Sequence, residues 1–294
     1  MTWVSWRLQR TETLLAAAIL ALIVALLVPT GLDMASTYHH DGLAACIGRN
    51  PPNSCDLTIQ EFTTRFEPLA NLLAWLTLVP GLIGVLLAAP FVLELENGTT
   101  RLAWTQSITR RRWITCKLAV IVGAALLAAL VMTLIMTWWH APLVRVHGRM
   151  ENSVYDAEGI VPFGYTLFAL GLALAVGAVW RRTVPAVIVG FVGYFAARIF
   201  FDTWLRQRIV SPLSSTWLAS PTGRDPSRGG PDLNHAWVIS EGNDKLGHGP
   251  GLMHAVYEPA SRFWTLQGVE TAIFAGVALA LILFAAWWTH ERTA

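Results

Sequence analysis

The chain is poor in charged residues and lacks the short motifs of common enzyme classes. Only 14% of its 294 residues are Asp, Glu, Lys or Arg, whereas a water-soluble domain carries about 25%. It contains no Gly-x-x-x-x-Gly-Lys-[Ser/Thr] phosphate loop, no His-Glu-x-x-His zinc motif and no Gly-x-Ser-x-Gly nucleophile elbow. The net charge of +2 is too small to indicate a nucleic-acid partner. The sequence therefore predicts a chain with no catalytic site, cofactor or metal, so any ATP hydrolysis has to come from another polypeptide.

Apolar residues are abundant instead, making up 54% of the chain and clustering in six long stretches. Each stretch is about 19 to 25 residues long, and a helix needs roughly 20 residues to cross a membrane. Such runs, without period-two alternation, favour helices over a β-barrel, and six in succession argue against a large soluble core. We expect an all-α membrane protein, one transmembrane domain over residues 1–294 without a nucleotide-binding domain. Its predicted spans are Leu14–Leu32, Leu69–Leu93, Leu118–Trp139, Ile160–Trp180, Val184–Trp204 and Thr265–Trp288.

Tryptophan and basic residues indicate where the spans end and how they are oriented. Many of the 14 Trp residues lie at or beside the ends of apolar stretches, where indole rings favour the headgroup region. Lys and Arg are dense in the short pieces on one side and sparse in the long loops on the other. Because basic residues are retained on the cytoplasmic side, we expect both termini inside. The inner pieces carry Arg7, Arg10, Arg101, Arg110, Arg111, Arg112, Lys117, Arg181, Arg182 and Arg292.

The N-terminal stretch Thr2–Thr13 has Trp3, Trp6 and Arg10 at near-helical spacing. This pattern is typical of an amphipathic helix that lies in the headgroup plane, and a frayed tail is the alternative. The apolar run that follows lacks a clean small-x-small cleavage site, so we interpret it as a membrane helix rather than a signal peptide.

The two longest outer loops have features of their own. Cys46 and Cys55 lie in the first of them, nine positions apart. The oxidising exterior favours a disulfide, which would contribute roughly 2–3 kcal/mol by closing so short a loop; two free thiols are the alternative. The last outer loop, residues 205–264, is far longer than loops usually are. Aromatic residues near its end suggest that part of it re-enters the membrane interface.

The segment Glu94–Lys117 is a charged island between the second and third spans. Residues 98–100 supply a helix break and a hydroxyl N-cap, so residues 101–107 can form a short helix with Trp104 on one side. Ser107 or Thr109 can cap the next helix, whose first turn then contains three arginines. Since the helix dipole disfavours cations there, we expect compensation by lipid phosphates, by an acidic partner surface, or by Glu94 and Glu96.

Three ionisable residues lie in or near the spans, where a charge costs roughly 2.5–3.5 kcal/mol at a helix centre. Arg198 and Asp202 are four positions apart, so they can neutralise each other on one helix face. Glu270 lies near the outer end of the sixth span. These residues are either ordinary interfacial structure near the outer surface or a polar patch that controls an exit pathway.

Three parts of the sequence, near its start, middle and end, carry a resemblance to a known family. The outer two are Thr2-Trp3…Trp6-Arg7 and Tyr257-x-Pro259-Ala260-Ser261-Arg262-Phe263-Trp264 with Glu270-Thr271. The central one is Glu94-x-Glu96-x-Gly98-Thr99-x-Arg101-Leu102-Ala103-Trp104-Thr105-Gln106-Ser107-Ile108-Thr109-Arg110-x-Arg112-Trp113…Lys117. Together they resemble actinobacterial ABC transporter permeases of the ABC type 2 class.

The resemblance implies a six-helix domain like that of G-subfamily ABC exporters, in the bacterial plasma membrane. An interfacial elbow helix would precede the first span, a coupling helix would join spans two and three, and short re-entrant helices would lie between spans five and six. Two permease chains would work with two ATPase subunits, which bind the ATP and Mg²⁺. The implied ATPase-coupling residues are Glu94, Glu96, Gly98, Thr99, Arg101, Trp104, Gln106, Arg110 and Arg112. The Cys46–Cys55 pair departs from the general family pattern.

By the same analogy, spans two and five line a central cavity for amphipathic cargo such as drugs, antibiotics, peptides or lipids. The candidate lining residues are Trp75, Thr77, Phe191, Tyr194 and Phe195. Lipid-facing or core positions are the alternative for them. Two other functions stay open at this point, a membrane enzyme that uses outer-loop residues and a non-transporting sensor or immunity protein that retains the permease fold.

Overall fold

The computed structural model describes residues 2–47, 55–98, 109–218, 233, 235–243 and 252–292, most of which are helical. The helices are α1 (Thr2–His40), α2 (Leu43–Cys46), α3 (Cys55–Leu73), α4 (Val79–Glu96), α5 (Arg110–His147), α6 (Asn152–Tyr155), α7 (Val161–Trp180), α8 (Thr183–Phe200), α9 (Arg206–Ile209) and α10 (Phe263–Arg292). The strands are β1 (Leu213–Leu218), β2 (Trp237–Asn243) and β3 (Leu252–Glu258).

Within the described residues, six helical stretches are long and apolar enough to cross a membrane, as the sequence predicts. Several run past the predicted ends, because polar residues continue the helix beyond the apolar core. The second is composite: α3 and α4 are joined by a 3-10 turn at Ala74–Leu78, directly before Pro80, whose missing N–H interrupts the helical ladder. The six stretches are Ala17–His40, Leu57–Glu96, Arg110–His147, Val161–Trp180, Thr183–Ile209 and Ala260–Arg292.

Helix α7 lies at the centre of the bundle and packs against α4, α8 and α10. Small residues bring the backbones close together, since a Cβ added to Gly171 would lie only 2.9 Å from the carbonyl oxygen of Ala278 in α10. On the opposite side, Gly84 of α4 faces the backbone of α7 in the same way. Close backbone approach through small residues is a common packing mode of membrane helices, and it fixes the helices that carry the buried polar groups described below.

The side-chain amide of Gln267, in α10, caps the start of α7. Its Oε1 atom accepts hydrogen bonds from the backbone N–H groups of Ile160 and Val161, at 2.9 and 3.0 Å. Its Nε2 atom donates to the carbonyl oxygens of Tyr155 and Glu158, at 2.8 and 3.2 Å. Because Gln267 is fully buried, water cannot reach these four backbone groups and form the hydrogen bonds in place of the Gln267 amide.

We therefore expect Gln267→Leu to lower the free energy of unfolding by about 2 kcal/mol, since it leaves buried backbone donors and acceptors without a partner. The check is the thermal unfolding midpoint of the purified protein, followed by tryptophan fluorescence. Gln60→Leu is the control, because Gln60 is exposed on α3 and its replacement should leave the midpoint unchanged. Equal midpoints for Gln267→Leu and the wild type would contradict the prediction.

The N-terminal stretch differs from the expected separate interfacial helix. Helix α1 runs without a break from Thr2 through Thr13 to His40. The physical reason is that no Gly or Pro occurs between Thr2 and Val28, so nothing in the backbone ends the helix before the apolar run. The short helix predicted for Thr2–Thr13 is thus the first part of a longer one.

The segment between the fifth and sixth spans also differs from the expected all-helical fold with re-entrant helices. Its described residues form an antiparallel sheet of order β1-β3-β2, in which Leu213 pairs with Tyr257 and Trp237 with Glu258. A single 3-10 turn at Ala260–Arg262 then leads into α10. The sequence signal was the β-branched and aromatic content of the short runs WVISEGN and LMHAVYE, which favours strands.

Two short connections complete the bundle. Cys46 and Cys55 form a disulfide, with their Cα atoms 5.3 Å apart, so the first span is tied covalently to the start of the second. Helices α7 and α8 form the predicted antiparallel hairpin, joined only by Arg181 and Arg182. Arg181 adopts a left-handed conformation with φ of 52°, which turns the chain sharply at the end of α7.

Candidate functional site

The predicted coupling region lies at the end of the bundle where α4 ends and α5 and α8 begin, which we call the loop end. Glu96, the last residue of α4, accepts hydrogen bonds from the backbone N–H and the hydroxyl group of Thr183, at 2.8 and 2.7 Å. Since Thr183 is the first residue of α8, the carboxylate satisfies an otherwise unpaired N–H of that helix and lies at the positive end of its dipole. Glu96 therefore links the second span to the fifth.

A second contact at the loop end links the second span to the third. Lys117, in α5, is 2% exposed and forms an ion pair with Glu94 of α4. Its ammonium group also lies 5.2 Å from the ring centroid of Trp113, within the range of a cation–π interaction. A buried Lys requires such partners because an unpaired charge there would be costly. Glu94 and Glu96 thus hold α4 to both neighbouring spans.

The three arginines lie in the first turn of α5, as the sequence predicts. Thr109 is the N-cap, and its hydroxyl oxygen accepts from the backbone N–H of Arg112 at 3.4 Å. Gly98 adopts φ of 67° immediately after α4 ends, which is the conformation that a helix-ending glycine takes. Arg111 and Arg112 are exposed, so their charges point to water or to a partner surface. The remaining coupling residues, Thr99, Arg101, Trp104 and Gln106, lie outside the described residues, as does the short helix predicted for 101–107.

A cleft lies between the 3-10 turn of the second span and α8, where the cavity residues were predicted. It has a volume of about 180 Å³ and is lined by Trp75, Thr77 and Phe195 together with Arg198 and Asp202. Trp75 is 69% exposed and Phe195 41%, so both rings face away from the bundle. The structure therefore brings three of the predicted cavity residues together with two of the predicted polar patch.

The other two predicted cavity residues pack inward. Tyr194 is fully buried, and its hydroxyl group donates to the carbonyl oxygen of Thr77 at 3.0 Å. The Phe191 ring packs against the core and lies 6.4 Å from the Tyr194 ring, centroid to centroid. Tyr194 and Phe191 therefore occupy core positions, which was the alternative to lining a cavity. Gly81, which lies against the Tyr194 ring, makes room for it.

A network of buried ion pairs lies at the opposite end of the bundle, which carries the sheet and which we call the sheet end. Its centre is Arg206, the first residue of α9, which is 2% exposed. The guanidinium group donates to Asp156 at 2.6 Å, to Asp202 at 2.6 Å and to Glu270 at 3.1 and 3.2 Å. The Tyr165 hydroxyl group, from α7, donates to Glu270 at 2.5 Å. The network thus ties the fourth, fifth and sixth spans to the loop that follows the third.

The expected pairing of Arg198 with Asp202 is not the one in the structure. Arg198 donates instead to Asp156 at 2.5 Å, while Asp202 accepts from Arg206 at 2.6 Å. The reason is the π-helical turn Phe201–Leu205, whose wider winding changes the face on which Asp202 lies. Such turns often occur at functional sites. The predicted patch is therefore part of a larger network.

Asp156, Tyr165 and Arg206 are the members of this network that sequence reasoning missed. Asp156 and Arg206 lie outside the predicted spans, and Tyr165 is an aromatic residue within one. The signal for Arg206 was the spacing of Arg198, Asp202 and Arg206 at intervals of four, whereas no local pattern marks Asp156. Burial opposes ionisation of Asp156, but the guanidinium groups of Arg206 and Arg198 hold the pKa of its carboxyl group below the usual value. The nearby Glu158 differs, because burial raises its pKa to about 7, with partial opposition from Arg149.

The motif that precedes the sixth span has a structural role at the sheet end. Arg262 donates to the Glu258 carboxylate at 2.9 Å and to the carbonyl oxygen of Ser211 at 2.8 Å. Ser211 precedes β1 and Glu258 ends β3, so Arg262 fixes the sheet to the start of α10. The arginine of this motif therefore neutralises the buried carboxylate of Glu258, four positions earlier in the chain.

The six spans, the ion pairs confined to their ends and the apolar surfaces between them define a multi-pass membrane protein. Residues 17–206 match the family of ABC-2 membrane transporter related proteins, and the chain belongs to that family. This domain is the membrane component of a transport system rather than a catalytic one, and such permeases work with an ABC ATPase subunit. No match to the chain was found among curated proteins or among solved structures.

Proposed function

We propose that this chain is the permease subunit of an ATP-driven ABC exporter in a bacterial plasma membrane, with both termini on the cytoplasmic side. Two such chains, or this chain and a similar one, would assemble with two ATPase subunits that carry the ATP and Mg²⁺. The cargo is amphipathic, of the class that includes drugs, antibiotics, peptides and lipids. The family membership supports the transport role, and the contacts at the loop end support the coupling.

The observation that carries the proposal is the pair of contacts from α4 at the loop end. Glu94 pairs with Lys117 of α5, and Glu96 binds Thr183 of α8. A push on the segment between α4 and α5 therefore acts on the second, third and fifth spans together. Movement of the ATPase subunits on ATP binding would rock these spans and open the cavity to the other side of the membrane.

The cleft at Trp75 and Phe195 supports an amphipathic cargo. Its exposed rings offer apolar contact area, while Arg198 and Asp202 at its edge offer one cationic and one anionic group. Because the cleft opens away from the bundle, two chains that face each other would enclose a larger cavity between their second and fifth spans. Ligand sites of this kind are mostly apolar with a few polar groups.

The test is copurification of an ATPase with the tagged chain from its native membranes, with partners identified by mass. We expect the triple variant Arg101→Ala, Arg110→Ala, Arg112→Ala to recover about tenfold less ATPase, because basic residues in a docking segment contribute to binding by electrostatic complementarity. Glu94 is left unchanged because its loss would leave the buried Lys117 without its carboxylate, which would test folding as well as docking.

The control for this experiment is Arg182→Ala, which removes an exposed cation at the same end of the bundle but outside the segment. It should retain the ATPase. Absence of any ATPase with the intact chain would refute the coupling proposal and favour the non-transporting sensor or immunity protein. Equal loss in both variants would mean that general positive charge, and not this segment, holds the ATPase.

A further inference from the structure

A second and larger pocket lies at the sheet end and shares no lining residue with the cleft. It has a volume of about 520 Å³, which falls in the range of small-molecule sites. Its walls come from α3, from the end of α5 with the loop and α6 that follow it, and from the start of β2. Elements from three separate parts of the chain thus form it, and none of the functions discussed above uses it.

The charges around the pocket have one sign. Glu67 and Glu151 line it and are exposed to solvent, whereas no Lys or Arg occurs among the described residues that line it. Two nearby arginines are engaged elsewhere: Arg65 pairs with Asp33 at 3.1 Å, and Arg149 lies 4.0 Å from Glu158. The pocket therefore favours a cation over an anion.

The rest of the lining is apolar or offers neutral hydrogen-bonding groups. The ring of Trp237, together with Leu143 and Val154, provides an apolar wall. His140 also lines the pocket, is 3% exposed, and its Nδ1 atom has no hydrogen-bond partner among the described residues. That nitrogen lies 3.7 Å from the Glu158 carboxylate, which is too far for a hydrogen bond. The nitrogen is shielded from solvent, so the carboxylates and the apolar wall, and not this atom, define which ligand fits the pocket.

The described part of the chain contains no group of three or more His, Cys, Asp or Glu side chains that could hold a metal ion, and the apolar wall of the pocket favours an organic ligand. We propose that the pocket binds an amphipathic organic cation, whose ammonium group is held by Glu67 and Glu151 and whose apolar body lies against Trp237. An ammonium group near an indole face also gains cation–π attraction. The site does not depend on the ATPase, so its test is independent of the exporter proposal.

The experiment uses three fluorescent probes that share one naphthalene body and differ in charge. Dansylcadaverine carries an ammonium group, dansylamide is neutral and dansylglycine is anionic. The full chain is placed in phosphatidylcholine nanodiscs, binding is followed by dansyl emission and anisotropy, and the signal from empty nanodiscs is subtracted. We expect saturable binding of dansylcadaverine, at least fivefold tighter than that of the other two probes. Equal affinities for the three probes would overturn the proposal.

Variants then locate the site. The double variant Glu67→Gln, Glu151→Gln should weaken dansylcadaverine binding by roughly five- to tenfold, since each exposed ion pair contributes up to about fivefold, and should leave dansylamide unaffected. Glu61→Gln removes an exposed carboxylate from the same helix, α3, outside the pocket, and should bind like the wild type. An unchanged affinity in the double variant would refute the assigned carboxylates.

A steric variant gives a second readout. Ala70→Phe places a ring into the pocket from α3 without removing any charge, so it should abolish saturable dansylcadaverine binding while the thermal unfolding midpoint stays near that of the wild type. Wild-type binding by this variant would show that the cation binds elsewhere on the protein. Because both carboxylates are exposed, the glutamine variants carry little risk of misfolding.

Discussion

Replacement of Arg206 by Met is expected to destabilise the protein by about 3–5 kcal/mol, the usual cost of removing one partner from a buried ion pair. Its guanidinium group is the shared partner of Asp156, Asp202 and Glu270. Without it, Asp156 keeps Arg198 and the Tyr165 hydroxyl group, and the fully buried Glu270 keeps no cationic hydrogen-bond donor among the described residues and shares the same Tyr165 hydroxyl group. Met preserves the aliphatic volume, so the loss reports on charge rather than on packing.

The measurement is the thermal unfolding midpoint of purified protein in detergent, at one fixed scan rate because unfolding of such proteins is often irreversible. Arg208→Met is the matched control, since Arg208 lies two positions further along and is exposed. Its guanidinium group lies 4.0 Å from the Trp204 ring centroid, and its loss should change the stability by less than about 1 kcal/mol. Similar midpoints for the two variants would refute a central role for Arg206.

Replacement of Gly84 by Val is expected to destabilise the bundle by about 3 kcal/mol, because adding methyl groups to a well-packed interior forces the backbone to shift. A Cβ at this position would contact the carbonyl oxygen of Thr166 and would lie 2.9 Å from the backbone nitrogen of Leu170. Both atoms belong to the backbone of α7, which cannot yield as a flexible side chain can. Helices α4 and α7 would have to separate.

Gly123→Val is the control for this prediction, since a Cβ on Gly123 in α5 meets no atom within 4 Å. Valine is a better helix former than glycine, so this change should leave the midpoint unchanged or raise it slightly. The two variants add the same side chain to a membrane helix and differ only in what it meets. If Gly84→Val and Gly123→Val have the same thermal unfolding midpoint, the close approach of α4 and α7 does not contribute to stability.

The spans were predictable because they depend on local composition. A run of about 20 apolar residues has to satisfy its backbone hydrogen bonds internally in lipid, whichever helices surround it. The same locality explains the predicted Thr109 cap and the hairpin at Arg181 and Arg182. Two local expectations differ from the structure: residues 2–13 continue into α1, and the segment after the fifth span contains a sheet.

The candidate site was predictable only in part, because its partners are distant in sequence. Glu270, Arg198 and Asp202 were recognised as costly charges, but their pairing was wrong for Arg198 and Asp202. Asp156, which lies in a loop, had no periodic pattern to mark it. Its place in the network depends on how the fourth, fifth and sixth spans pack, and no single segment contains that information.

The sequence by itself determined that this protein has six segments long and apolar enough to cross a membrane, that it belongs with ABC type 2 permeases, and that its basic connecting segment lies between the second and third of them. These properties follow from composition, from runs of apolar residues and from short motifs, each contained within one stretch of chain. Only the tertiary structure decided which charges neutralise each other, which aromatic rings face outward, and that α3, α5 and β2 enclose a pocket. Such properties depend on side chains from remote segments meeting in space, and a buried charge takes the partner that packing brings within reach rather than the nearest one along the helix.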